Sequence, residues 1–162
     1  MKIVREKPPI WDRAVEAFPS ILSHPTVIFC WGDTIYAPGL KDPSAGLPEA
    51  IIAHEKVHSL RQGDSPEKWW DQYLINKEFR FYEELLAHVT EYEFIAARAK
   101  SRNERRRWLA VIAEKLASPI YGSMIQRDKA KLFIKGKIPA TEKEEILNKL
   151  SPKETVEESL VR

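Results

Sequence analysis

Cysteine is nearly absent from this 162-residue chain: Cys30 stands alone, so no intrachain disulfide can form and an intracellular setting is expected. It sits in the apolar run Val27-Ile-Phe-Cys-Trp31 and reads as a small buried hydrophobe. Apolar runs of about 18 residues are missing too, which argues against a membrane-spanning helix. The opening Met1-Lys-Ile-Val-Arg-Glu-Lys-Pro-Pro9 has no apolar segment of signal-peptide length, so a cytoplasmic location is expected. Neither charge sign is in excess. With 26 basic and 24 acidic side chains the net charge is +2, and no global field calls for a nucleic acid or an anionic membrane.

What is present is ordinary for a globular protein: 43% apolar and 31% charged residues, enough for one domain with a real core. Apolar residues at helical spacing predict a helix over 11–17, broken by Pro19. Residues 26–31 and 34–37 are rich in β-branched and aromatic side chains and flank Gly32-Asp33, a hairpin signal. A loop over 38–46 leads to a helix over 48–62 that stops at Gly63, followed by helices over 65–74 and 77–100. Ser101 with Glu104 predicts a capped helix to about 117, and 128–134 another. The capping boxes Thr141/Glu144 and Ser151/Glu154 predict helices over 141–150 and 151–161. The expected fold class is α+β, predominantly α-helical, with a domain over 1–135 and a helical tail over 136–162.

The chemistry is concentrated in His54-Glu-Lys-Val-His58. On a helix, residues four apart are separated by about 40° around the axis and about 6 Å along it, so both imidazoles can reach one ion. Neutral imidazole is a good zinc ligand, and Glu55 points aside from the metal, where it can take a proton from a water. Catalytic zinc usually has three protein ligands, and the helix over 77–100 offers the third. Arg80, Glu84, His88 and Glu91 form one stripe on it, bounded by Phe81, Leu85, Val89, Tyr92 and Ile95, and so are expected to face the interior. Glu84 is the first choice, with Glu83 and His88 as alternatives and Arg80, His88 or Glu91 as supporting groups.

A glutamate some twenty-five residues after the second histidine, on a following helix, resembles the gluzincin branch of zinc metallopeptidases. More specifically, Gly32-Asp-Thr-Ile-Tyr-Ala-Pro38, His54–His58, Trp69-Trp-Asp-Gln-Tyr-Leu74 and Phe79-Arg-Phe-Tyr-Glu-Glu-Leu-Leu-Ala-His88 are similar to small zincin-like proteins of bacteriophages and bacteria. The resemblance covers about residues 10–135. It implies a minimal zincin core, with a short sheet edge over a metal cleft and two packed helices carrying the ligands, and Zn2+ held by His54, His58 and Glu84. It also implies peptide-bond hydrolysis with Glu55 as base, and an oxyanion donor for which Tyr36, His88 and Tyr121 are the candidates. Gluzincins of the thermolysin kind carry an aspartate four residues after the third ligand, where this chain has His88.

The expected partner is a peptide or protein substrate. The alternative is a non-catalytic phage structural or assembly protein that keeps the fold, in which case a virion-associated location applies. The tail over 136–162 has little apolar surface and is expected to dock on the core, on a second copy or on an assembly partner. Arg98, Lys100, Arg102, Arg105, Arg106 and Arg107 are interleaved with Glu104 and Trp108 and read as a solvated helix junction, not a nucleic-acid surface. Trp69 and Trp70 read as core packing, and His24, before Pro25, as an incidental loop residue.

Overall fold

The computed structural model of the chain describes residues 1–42 and 46–151. Helices dominate and a small sheet completes an α+β fold. The elements in order are β1 (Lys2–Val4), α1 (Trp11–Ala17), β2 (Phe29–Trp31), β3 (Thr34–Tyr36), α2 (Glu49–Gln62), α3 (Pro66–Ile75), α4 (Lys77–Ala96), α5 (Arg102–Leu116), α6 (Arg127–Ile134) and α7 (Ala140–Leu150). Short 3-10 turns lie at Pro19–Ser23 and Pro119–Tyr121.

β2 and β3 form the expected hairpin, with Cys30 opposite Ile35. Gly32 opens its turn at φ +58°, a conformation the first position of a two-residue hairpin loop favours and L side chains rarely adopt. Gly39 is needed for space: a Cβ there would sit 1.4 Å from the Pro25 carbonyl oxygen. β1 was not legible in the sequence. It pairs parallel with β3, Ile3 opposite Ile35, and makes β3 the central strand. Three residues are too few to display an alternation, and tertiary contact alone establishes the strand.

Apart from the end of α4, the described helix ends fall within about a residue of expectation, and two of the differences have a visible cause. α4 ends at Ala96, not near 100, because the backbone tightens there, with Arg98 N–H donating to the Ile95 carbonyl. α7 starts at Ala140, with Pro139 as its N-cap and no side-chain cap, so the Thr141/Glu144 box does not form. Proline's preset φ begins the helix one residue early and leaves Thr141 inside its first turn. The Ser101 cap is made, its hydroxyl accepting from Glu104 N–H. The helix expected over 151–161 lies outside the described residues except for Ser151, which ends α7 and donates its hydroxyl to Glu78 at 2.7 Å.

Apolar side chains gather in two clusters. Phe81, Ile112, Leu116, Phe133 and Leu150 join α4 to α5, α6 and α7, so the first helix of the tail docks on the core. Ile10, Ala14, Phe29, Trp69, Trp70 and Tyr73 join α1, β2 and α3. Between them α2 packs along α4 on one side and against β2 and α3 on the other. Neighbouring positions on α5 provide a test of this division. Ile112→Ala, at a fully buried site, should cost about 2–5 kcal/mol in urea unfolding, whereas Val111→Ala, 41% exposed, should change stability by less than about 0.5 kcal/mol.

Candidate metal centre

The α2–α4 seam is polar. His54, Glu55 and His58 from α2 and Arg80, Glu83, Glu84, His88 and Glu91 from α4 are all buried. At 100° per residue, Arg80, Glu91, Glu84 and His88 share an arc of about 80°, which brings the stripe onto α2. Ala87, fully buried, lets the helices approach. Glu83 lies about 100° from Glu84 around the axis, and this separates their roles. It forms a forked pair with Arg61, whose Nε and Nη2 approach its carboxylate at 2.6–2.8 Å. That pairing occupies Glu83 and leaves Glu84 to face the histidines.

His54 Nε2 and His58 Nε2 stand 3.2 Å apart. Glu84 lies 3.7 Å from the first through Oε2 and 3.4 Å from the second through Oε1. Donors at 2.0–2.1 Å from a tetrahedral zinc are about 3.3 Å from one another, so the three groups already have the spacing of a ligand set. Two ring nitrogens at 3.2 Å also need a proton or a cation between them.

Supporting residues fix the imidazoles. A single oxygen of Glu91, Oε2, lies 3.2 Å from His54 Nδ1 and 3.1 Å from His88 Nδ1, while Lys115 from α5 donates to Oε1 at 2.5 Å. Burial alone would raise the Glu91 carboxyl, but the two histidine hydrogen bonds and the Lys115 charge override it and hold it far below the usual range. An ionised carboxylate only accepts, so both Nδ1 atoms carry protons, and in the neutral rings both Nε2 atoms are bare lone pairs. The two buried donor groups, His54/His58/Glu84 and His54/His88/Glu91, therefore differ in kind: the Glu91 side is a hydrogen-bonded support, and the Glu84 side is open to a cation.

Glu84 is held in turn. Tyr73 donates its hydroxyl to Oε1 at 2.6 Å, and the Tyr121 hydroxyl lies beside the same carboxylate. Arg80, one turn before Glu84, ties both tyrosine segments down: Nη1 donates to the Tyr73 carbonyl at 2.6 Å and Nε to the Tyr121 carbonyl at 3.0 Å. Sequence reading missed Tyr73 and Lys115, which come from other helices, and Gln62. Gln62 Oε1 accepts from Gly32 N–H at 2.7 Å and its Nε2 donates to the Cys30 carbonyl at 2.8 Å, fastening the end of α2 to the hairpin.

Beside these groups lies a cavity of about 270 Å³, lined by His54, Glu55, His58, Glu84 and His88 and walled by apolar residues such as Phe18, Val27, Ile51 and Trp70. Tyr121 lines it as well. Tyr36 does not: it packs in the cluster around α1 and α3. His24, read as incidental, is at the exposed rim. Burial pushes the Glu55 carboxyl up to about 8, with Glu84 and Glu91 adding to the rise. Cys30 is buried as expected, and burial raises its thiol beyond the range in which a thiolate forms.

Comparison with protein families, with curated proteins and with solved structures returns no match. No helix among the described residues is long and apolar enough to cross a membrane.

The electrostatics determine how metal-free stability varies with pH. Burial lowers His54, His58 and His88 from 6.5, so unfolding below about 6.5 lets three imidazoles take up protons, and stability falls as pH falls. Glu55 and Glu84, raised by burial, act oppositely and are outnumbered there. Above 6.5 the histidines no longer contribute, and stability falls as pH rises toward the Glu55 value of about 8. Thermal unfolding in chelator should therefore show a maximum near pH 6.5. A midpoint climbing steadily from pH 5 to 9 would contradict this.

Proposed function

We propose that this protein is a zinc-dependent metallopeptidase of the zincin type, with His54, His58 and Glu84 as ligands, Glu55 as general base and a peptide or protein as substrate. The observation that carries the reading is the spacing of those three buried donors beside a cavity that Glu55 lines. The donor set suits zinc: two imidazoles and one carboxylate, with room for a further ligand. Zinc there would supply Lewis acidity, acidifying a water and polarising a carbonyl.

This chain's own residues do the rest. Glu55 takes the proton of the attacking water on its carboxylate and returns it to the leaving nitrogen. Its value of about 8 in the metal-free site lies close enough to neutrality for both transfers, and a dication nearby draws it down. The carbonyl oxygen gains negative charge in the transition state and needs a donor. Tyr121 fits that role because burial, then Glu84 and Glu55, keep its hydroxyl protonated. His88 fits it less well: with Nδ1–H committed to Glu91, its neutral ring has no N–H left at Nε2. The apolar wall suits an apolar side chain next to the scissile bond.

Elemental mass spectrometry on protein purified without a metal-affinity tag should find about one zinc per chain, lost in His58→Ala and Glu84→Gln. Glu55→Gln should keep the zinc and slow cleavage of a peptide library by roughly 10²–10⁴-fold. No metal after zinc supplementation overturns the reading. Zinc without cleavage by the wild type favours a non-catalytic assembly protein on the same scaffold.

A further inference from the structure

His88 has a feature that the three-ligand reading leaves unexplained. Its Nε2 and Glu84 Oε2 face each other across 3.6 Å, both are buried, and neither has a hydrogen-bond partner among the described residues. Both atoms are acceptors in the tautomer that Glu91 enforces, and 3.6 Å is too long for a shared proton to make a hydrogen bond. Two orphaned lone pairs buried face to face are costly unless a donor or a positive charge reaches them, and a cation between them reaches both at once.

His88 is also prepared in the way His54 is. The same Glu91 oxygen accepts from Nδ1 of both rings, which lie with centroids 4.5 Å apart, and each ring presents its Nε2 to Glu84 Oε2, at 3.7 Å from His54 and 3.6 Å from His88. A histidine whose Nδ1 is anchored on a carboxylate and whose Nε2 is bare and faces a ligand carboxylate is prepared as metal-ligating histidines are, and a turn of the His88 ring has to bring it to the donors of His54, His58 and Glu84, which already lie together. The spacing along the chain agrees. His54 and His58 are four apart on α2, Glu84 and His88 four apart on α4, and the helices pack directly. Facing helices that each present inward donors build metal sites in helical cores.

We propose that His88 is a fourth protein ligand, so that the resting centre consists of His54, His58, Glu84 and His88. This rests on the metal-site reading above and goes beyond it. A set of three imidazoles and one carboxylate closes a tetrahedral site, whereas catalytic zinc commonly keeps one position open. Substrate then has to join as a fifth ligand or displace His88, the arm that distinguishes this centre from a three-ligand one.

X-ray absorption at the zinc edge on the zinc-loaded wild-type chain should count three imidazoles, a measurement that depends on no variant folding. His88→Gln should drop the count to two and weaken zinc binding more than about 100-fold, beyond the 10–100-fold typical of an outer support. Glu91→Gln should stay within that outer range and keep three. Two imidazoles in the wild type, with an unchanged spectrum in His88→Gln, would overturn the fourth ligand and leave the peptidase reading intact. A wild-type chain that takes up no zinc would overturn the metal site itself.

Discussion

The structure depends on how charge is compensated where α2 lies against α4. Packing these helices buries three imidazoles and several carboxyl groups in one seam, and each ionised group removed from water costs several kcal/mol unless something offsets it. Most of the offsets are visible. Arg61 forks onto Glu83, Lys115 reaches Glu91, Arg80 spends its donors on backbone carbonyls, and Gln62 bridges to the hairpin. Four buried polar atoms keep no hydrogen-bond partner among the described residues: Glu84 Oε2, His88 Nε2, His58 Nδ1 and Trp69 Nε1. A bound cation, as proposed, would answer Glu84 Oε2 and the His88 Nε2 that faces it.

The site and the fold are therefore hard to separate. α4 carries Arg80, Glu84, His88 and Glu91 along about 80° of arc, and three of them tie other elements to the seam. Arg80 draws in the end of α3 and the turn at Pro119–Tyr121, Glu84 receives the Tyr73 hydroxyl from α3, and Glu91 engages α5 through Lys115. Apolar clusters on either side hold these elements in register, while the seam itself contributes polar groups that a core built only for stability would omit.

Much of this was legible in the residues. The His54-to-His58 spacing, the helix that bears it and the inward stripe on 77–96 follow from helical periodicity alone. The helical α+β class and the Gly32-Asp33 hairpin do as well. What was not legible depends on contacts distant in sequence. Glu83 and Glu84 are equivalent as letters, and it is the position of Arg61 on the facing helix that engages one and leaves the other to face the histidines. Lys115, Tyr73 and Gln62 carry no local signature, since each acts through a partner at least eleven residues away. β1 exists only through its pairing with β3. Thr141 looked like a cap, but Pro139 had already begun the helix.

Crystals grown with zinc and measured on both sides of the zinc absorption edge test the proposed metal between α2 and α4 most directly. The expected result is one strong anomalous peak at about 2.0–2.2 Å from His54 Nε2, His58 Nε2 and an oxygen of Glu84. An empty seam in zinc-soaked crystals, or a peak elsewhere on the molecule, would contradict it.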